Sequence, residues 1–162
     1  MIEQKYIQTA IDYKKNVAGK FVLVEGAKLK QRIDGQRFAV TRKIDGHMQV
    51  VFYADGQVFM LNANGKQKAE KLKCLDAFAE AIKTAGLKQA VIAAELYLPR
   101  PEGRPRCGDV QAALADDAKR DQLALAPFDI VELDGEAWKA EHYSETHNKL
   151  CTIFNSQLST LN

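Results

Sequence analysis

Asp55-Gly56 stands between two alternating apolar stretches, QVVFYA and QVFML. Asp-Gly supplies the positive-φ residues that a two-residue hairpin turn needs, so antiparallel pairing of the two stretches is the expectation. Strands and helices do not alternate cleanly elsewhere either. An antiparallel-rich α+β layer structure therefore fits better than a doubly wound parallel sheet.

Around that hairpin the other elements can be placed. Ile2, Tyr6, Ile7, Ala10, Ile11 and Tyr13 recur at helical spacing over residues 2–17, and Gly19 follows as a stop. FVLVEGAKL and RFAVTRKID read as strands, with Asp34-Gly35 as the turn between them. GKQKAEKLKCLDAFAEAIKTAG reads as one helix whose apolar face is Leu72, Leu75, Phe78, Ala79 and Ile82, ending at Gly86. Its lysines at 66, 68, 71 and 73 read as a solvated face rather than a DNA footprint. QAVIAAELYL is a buried strand, PRPEGRPRCGD an irregular loop, and DVQAALADDAKRD a short helix with Asp109 as N-cap. QLALAPFDIVEL is the next strand, and Ser144 caps a final helix that reaches about residue 158.

Composition narrows the setting. A chain of 162 residues with 46% hydrophobic content buries one core, so one domain is expected. The net charge of +2 and pI near 8.4 permit nucleic acid without arguing for it. Cys74, Cys107 and Cys151 are odd in number and lack metal-ligand spacing, which points to reduced thiols and a cytoplasmic location. His142 and His147 do not have the spacing of a zinc site. No apolar stretch is long enough to span a membrane, and the charged N-terminus lacks a signal-peptide apolar region.

Three features carry chemistry. Lys43-Ile44-Asp45-Gly46 places a lysine beside an acid and a glycine at the start of the hairpin region. Glu95 is the charged residue inside the apolar run VIAAELYL, where a carboxylate needs a partner or a metal. Phe128-Asp129 sits in a later apolar run that ends at Asp134-Gly135. Read alone, Lys43 could be an ordinary exposed strand lysine, Glu95 could face water, and Phe128 could be plain core.

Taken in order, these features resemble the covalent nucleotidyltransferases: the ATP-dependent DNA ligases with their RNA ligase and capping-enzyme relatives. The likeness runs from about residue 28 to residue 155. Lys43 to Gly46 resembles the K-x-D-G nucleophile motif, Glu95 the motif III glutamate, and Phe128-Asp129 with Asp134-Gly135 motif IIIa. The segment Tyr143 to Leu150 is similar to the helix that follows. The resemblance implies an adenylation-domain fold, ATP-grasp-like, and a polynucleotide ligase that forms a lysyl-AMP intermediate in DNA repair or replication. ATP and Mg2+ are the implied cofactors. Nicked DNA is the implied partner, with RNA possible.

The roles it implies are specific. Lys43 would attack the α-phosphate once its amine is neutral, with Arg42 or a metal as the neighbouring cation. Asp45 would hold the amine or organise the backbone, and Gly46 would let the chain turn and a phosphate or ribose approach. Glu95 would lie near ribose and metal, and Phe128 would stack on adenine. ATP rather than NAD is expected, because only a short helix and a hairpin precede Lys43.

Departures from the pattern are visible. Met48 occupies the arginine position of K-x-D-G-x-R, Asn62-Ala63-Asn64-Gly65 stands for S-R-x-G, and Ala93-Ala94-Glu95 stands for D-G-E. The E-G-x-x-x-K strand, the motif V lysines and an OB-fold domain are not in the sequence. The expectation is therefore residues 1–162 as a partial adenylation domain, weak or inactive alone and prone to dimerise through an uncovered apolar face. An RNA ligase or capping-type enzyme and a non-catalytic nucleotide-binding relative are the alternatives.

Overall fold

The computed structural model describes residues 2–22, 24–33 and 41–158. In chain order these form α1 (Gln4–Asn16), a short 3-10 turn (Ala18–Lys20), α2 (Gly26–Ile33), β1 (His47–Ala54), β2 (Gln57–Asn62) and α3 (Lys73–Thr84). They continue with β3 (Gln89–Tyr97), α4 (Cys107–Leu114), α5 (Asp117–Arg120), β4 (Ala124–Leu133), β5 (Glu136–Ala137) and α6 (Tyr143–Leu158). The five strands make one antiparallel sheet in the order β2-β1-β3-β4-β5. The fold class is α+β, as the sequence predicts.

The β1–β2 turn forms at Asp55 and Gly56, with φ of 51° and 77°. Asp134 and Gly135, with φ of 49° and 85°, make the same kind of turn between β4 and β5, a hairpin the sequence reading did not assign.

Helices cover both faces of the sheet, which is why the central strands are near-continuous apolar runs rather than alternating ones. On one face α1 lays Tyr6, Ala10 and Tyr13 over Val50, Phe52 and Ala93. Tyr6, Phe52 and Phe59 meet there with ring centroids 5.1 Å apart. On the other face α3, α4 and α6 pack against Val51, Ile92 and Leu96, and Phe78 of α3 meets Phe154 of α6.

Several expected boundaries differ. The helix expected over 65–86 is α3 alone. The Asn62 side-chain oxygen accepts from the amides of Asn64 and Lys66 at 2.9 and 3.0 Å, and Gly65 adopts φ 69°. That turn ends the hairpin, and Lys66, Lys68 and Lys71 lie exposed on the irregular segment that follows. FVLVEGAKL is no strand in its described part: Gly26 onward is α2, and Phe21 and Val22 are exposed. RFAVTRKID is no strand in its described part either, since residues 41–45 are irregular and β1 begins at His47. Its first part and the Asp34-Gly35 turn lie outside the described residues.

Two caps also move. Asp109 is inside the first turn of α4, where it accepts the Arg106 amide at 3.0 Å. Ser144 is inside α6, and Glu145 instead accepts the His142 amide at 3.3 Å. Gly86 does end α3, at φ 74° with its amide on the Lys83 carbonyl.

Candidate active site

Residues 41–46 approach the sheet at the end where β3 leaves it. Gly46 is required there for a steric reason. A Cβ at residue 46 would stand 2.1 Å from the Leu96 carbonyl oxygen and 2.9 Å from its carbon. Its φ is not positive, so close approach to β3, rather than a turn, is what needs glycine. The Gly46 amide donates to Glu95 Oε1 at 2.9 Å.

Glu95 lies in register with Met48 of β1 and on the α1 side of the sheet, half-buried beyond Ala93. Burial raises its carboxyl pKa. The Gly46 amide and the positive charges of Lys43 and Lys14 oppose that rise, while Asp45 adds to it. The glutamate is therefore anchored by backbone rather than turned to water.

Lys43 is exposed and pairs with Asp45 Oδ1. The two side chains meet although the backbone here is not a strand. Arg104 Nη2, from the loop between β3 and α4, pairs with the other oxygen, Asp45 Oδ2. The Lys43 hydrogen bond, aided by the two positive charges, holds the Asp45 carboxyl below its usual range.

A cleft of about 1170 Å³ opens beside these residues, with Arg42, Lys43, Glu95 and Phe128 on its walls. That volume is on the scale of small-molecule sites, which run to about 1,000 Å³. Phe128 both lines the cleft and packs against the α1-side core. Arg42 lines the cleft nearer Tyr97, whose hydroxyl pKa is raised by burial and drawn down by Arg42. Thus Lys43, Asp45, Gly46 and Glu95 form one cluster, with Arg42 and Phe128 further along the same cleft.

Sequence reasoning missed three contributors. Arg104 was only one arginine in an irregular loop. Tyr13 of α1 donates to Asp129 Oδ2 at 2.8 Å, and the Tyr143 hydroxyl donates to the Phe128 carbonyl at 2.8 Å. Those two bonds hold the Asp129 side chain and the Phe128 backbone from both ends of the chain. The burial-raised Asp129 carboxyl is partly offset by the Tyr13 bond. Cys151 Sγ lies 3.7 Å from His147 Nε2 on α6, a nearness that the sequence reading did not anticipate.

The lysine–aspartate pair and the backbone-anchored glutamate lie at one end of a cleft on the antiparallel sheet of an α+β domain. Comparison with solved structures specifies the fold. The ligase domain of LigD from M. tuberculosis is similar over 70% of this chain and 36% of that one, with a TM-score of 0.56 and 24% identity. A mycobacterial DNA ligase D complexed with ATP and MES is similar over 70% of this chain and 35% of that one, with a TM-score of 0.51 and 21% identity. The chain therefore has the ligase-domain fold, and it spans about a third of each of these relatives. No protein-family model and no curated protein matches it. No helix among the described residues is long and apolar enough to cross a membrane.

Proposed function

We propose that residues 1–162 are the nucleotide-binding part of an ATP-dependent polynucleotide ligase, with Lys43 as the nucleophile. The observation that carries this reading is the cluster itself: an exposed lysine paired to Asp45, tied through Gly46 to Glu95, at the edge of a large cleft in a ligase-domain fold.

In this reading the neutral Lys43 amine attacks the α-phosphorus of ATP. The N–P bond forms, the bond from that phosphorus to the bridging oxygen of the β-phosphate breaks, and pyrophosphate leaves with the electron pair. The amine nitrogen gives up a proton, leaving a lysyl-AMP phosphoramidate. Asp45 orients the amine before attack. Glu95 and Phe128 line the cleft where ribose and adenine would lie, and Arg42 adds positive charge to its wall. The ATP-bound ligase D of similar fold supports ATP as the nucleotide.

Glu95 fits a magnesium ion of the kind that takes one or two carboxylates and completes its shell with phosphate oxygens and water. Glu95 is bonded through Oε1 alone among the described residues, so its second oxygen can serve, whereas both Asp45 oxygens are held by Lys43 and Arg104. Such an ion would neutralise charge developing on the phosphates. The AMP would then pass to a 5′-phosphate at a break, with nicked DNA as the preferred acceptor. Met48 beside Glu95, where the DNA ligase motif has arginine, keeps an RNA acceptor as the second reading.

The test, on the full polypeptide that carries this domain, compares ATP labelled at the α-phosphate with ATP labelled at the γ-phosphate. Covalent retention of the α-label alone supports nucleotidyl transfer. Retention of the γ-label, or of neither, contradicts it.

A further inference from the structure

The loop between β3 and α4 carries Arg100, Arg104 and Arg106, and it is tied down on both sides of Arg104. Arg100 forks onto Asp109, with Nε to Oδ2 at 2.8 Å and Nη2 to Oδ1 at 2.6 Å. Asp109 also accepts the Arg106 amide at 3.0 Å. A forked arginine–carboxylate pair fixes direction as well as distance. Between these ties, Pro101 and Pro105 restrict the backbone, and Gly103 turns it at φ 81°. The loop thereby delivers the Arg104 guanidinium to Asp45, 59 residues earlier in the chain.

The resulting geometry is a carboxylate shared by two cations. Lys43 holds Oδ1 and Arg104 holds Oδ2. Among the described residues, Glu95 from β3 and, behind it, Lys14 from α1 also bring charge to this cluster. An aspartate free to rotate would offer both oxygens to the ammonium and hold it back from any electrophile in the cleft. An aspartate held at one oxygen can only aim it.

We propose that Arg104 is a positioning residue: by gripping Asp45 Oδ2 it sets the carboxylate so that Oδ1 directs the Lys43 amine into the cleft. This rests on the reading of Lys43 as the nucleophile. Because Arg104 acts through Asp45, its removal should change the rate of the lysine's reaction rather than ATP affinity. The effect should disappear once Asp45 is gone. Arg104→Lys keeps a cation without the planar fork and should restore the rate in part.

The experiment is a double-mutant cycle on Arg104→Gln and Asp45→Asn. It is read, in the full polypeptide that carries this domain, by single-turnover lysyl-nucleotide formation at saturating ATP and by ATP titration. Arg104→Gln is expected to slow formation about tenfold, as small misplacements of reacting groups do, with ATP affinity nearly unchanged. Adding it to Asp45→Asn should slow nothing further. Multiplying losses in the double variant, a loss confined to ATP affinity, or a wild-type rate in Arg104→Gln would each overturn the proposal.

A second readout needs no nucleotide: acetylation of Lys43 by acetic anhydride, mapped by mass spectrometry. Slower labelling in Arg104→Gln, but not in the Asp45→Asn background, is expected. If the wild type forms no lysyl-nucleotide while this coupling is present, the nucleophile reading fails and the positioning role stands. If the nucleotide adduct forms but neither readout shows coupling, the positioning role fails and the nucleophile reading stands.

Discussion

The Gly46 amide donates to Glu95 Oε1 at 2.9 Å, and this bond joins the segment bearing Lys43 to the end of β3. It forms because residue 46 has no side chain: a Cβ would stand 2.1 Å from the Leu96 carbonyl oxygen. Gly46→Ala must push the segment off the sheet. Overpacking of this kind costs about 1–3 kcal/mol, so the urea midpoint should fall and any reaction of Lys43 with nucleotide should be lost. An unchanged midpoint would contradict this packing.

Glu95→Gln separates charge from anchoring. The amide oxygen of glutamine can still accept from Gly46, and a neutral group suits a site whose burial already raises the carboxyl pKa. Thermal stability should stay near wild type while nucleotide transfer falls by about tenfold or more. Equal activity with intact metal dependence would make Glu95 a purely structural anchor.

Phe128→Leu tests the ring that faces both cleft and core. Aromatic–base stacking is worth about 1–3 kcal/mol, so ATP titration should weaken by roughly tenfold with the fold retained. Unchanged affinity with a large drop in melting temperature would assign the ring to the core alone.

Tyr13→Phe removes the hydroxyl that bonds Asp129 across the α1–sheet interface. A hydrogen bond to a charged group contributes about 1.5–3 kcal/mol, and a loss of that order is expected at pH 7. The pH dependence has a definite sign. Burial raises the Asp129 pKa in the folded protein and the Tyr13 bond lowers it, so the variant's folded value rises further. With the folded pKa above the unfolded value of about 4, stability falls as pH climbs from the unfolded value through the folded one. The variant's deficit should therefore shrink as pH falls through the two raised folded values and be smallest by about pH 4. Denaturation at both pH values checks this, and a deficit as large in acid as at neutrality would contradict it.

Much of the sheet was legible because its signals are local. Asp55-Gly56 fixes a turn by backbone conformation, and the runs around Val51, Ile92 and Ile130 are apolar on both faces because helices cover both. Asp134-Gly135 carried the same signal, but β5 has two residues and too little sequence to read as a strand. The false helical start over 65–72 came from lysines, which suit a helix and an exposed loop equally. What separates the two is the side-chain turn at Asn62. The core of the site, Lys43 through Gly46 with Glu95, was readable as a pattern. Its remaining partners were not, because Arg104 meets Asp45 across 59 residues and Tyr13 meets Asp129 across 116. Such pairs are set by how the elements pack, and no local spacing encodes them.

The central claim is that Lys43 carries the nucleotide. Incubation of the full polypeptide that carries this domain with ATP and magnesium, followed by intact mass and peptide mapping under conditions that preserve a phosphoramidate, tests it directly. The account predicts one AMP adduct, on Lys43, and none in Lys43→Ala. An adduct on another lysine, or an undiminished adduct in Lys43→Ala, would contradict it.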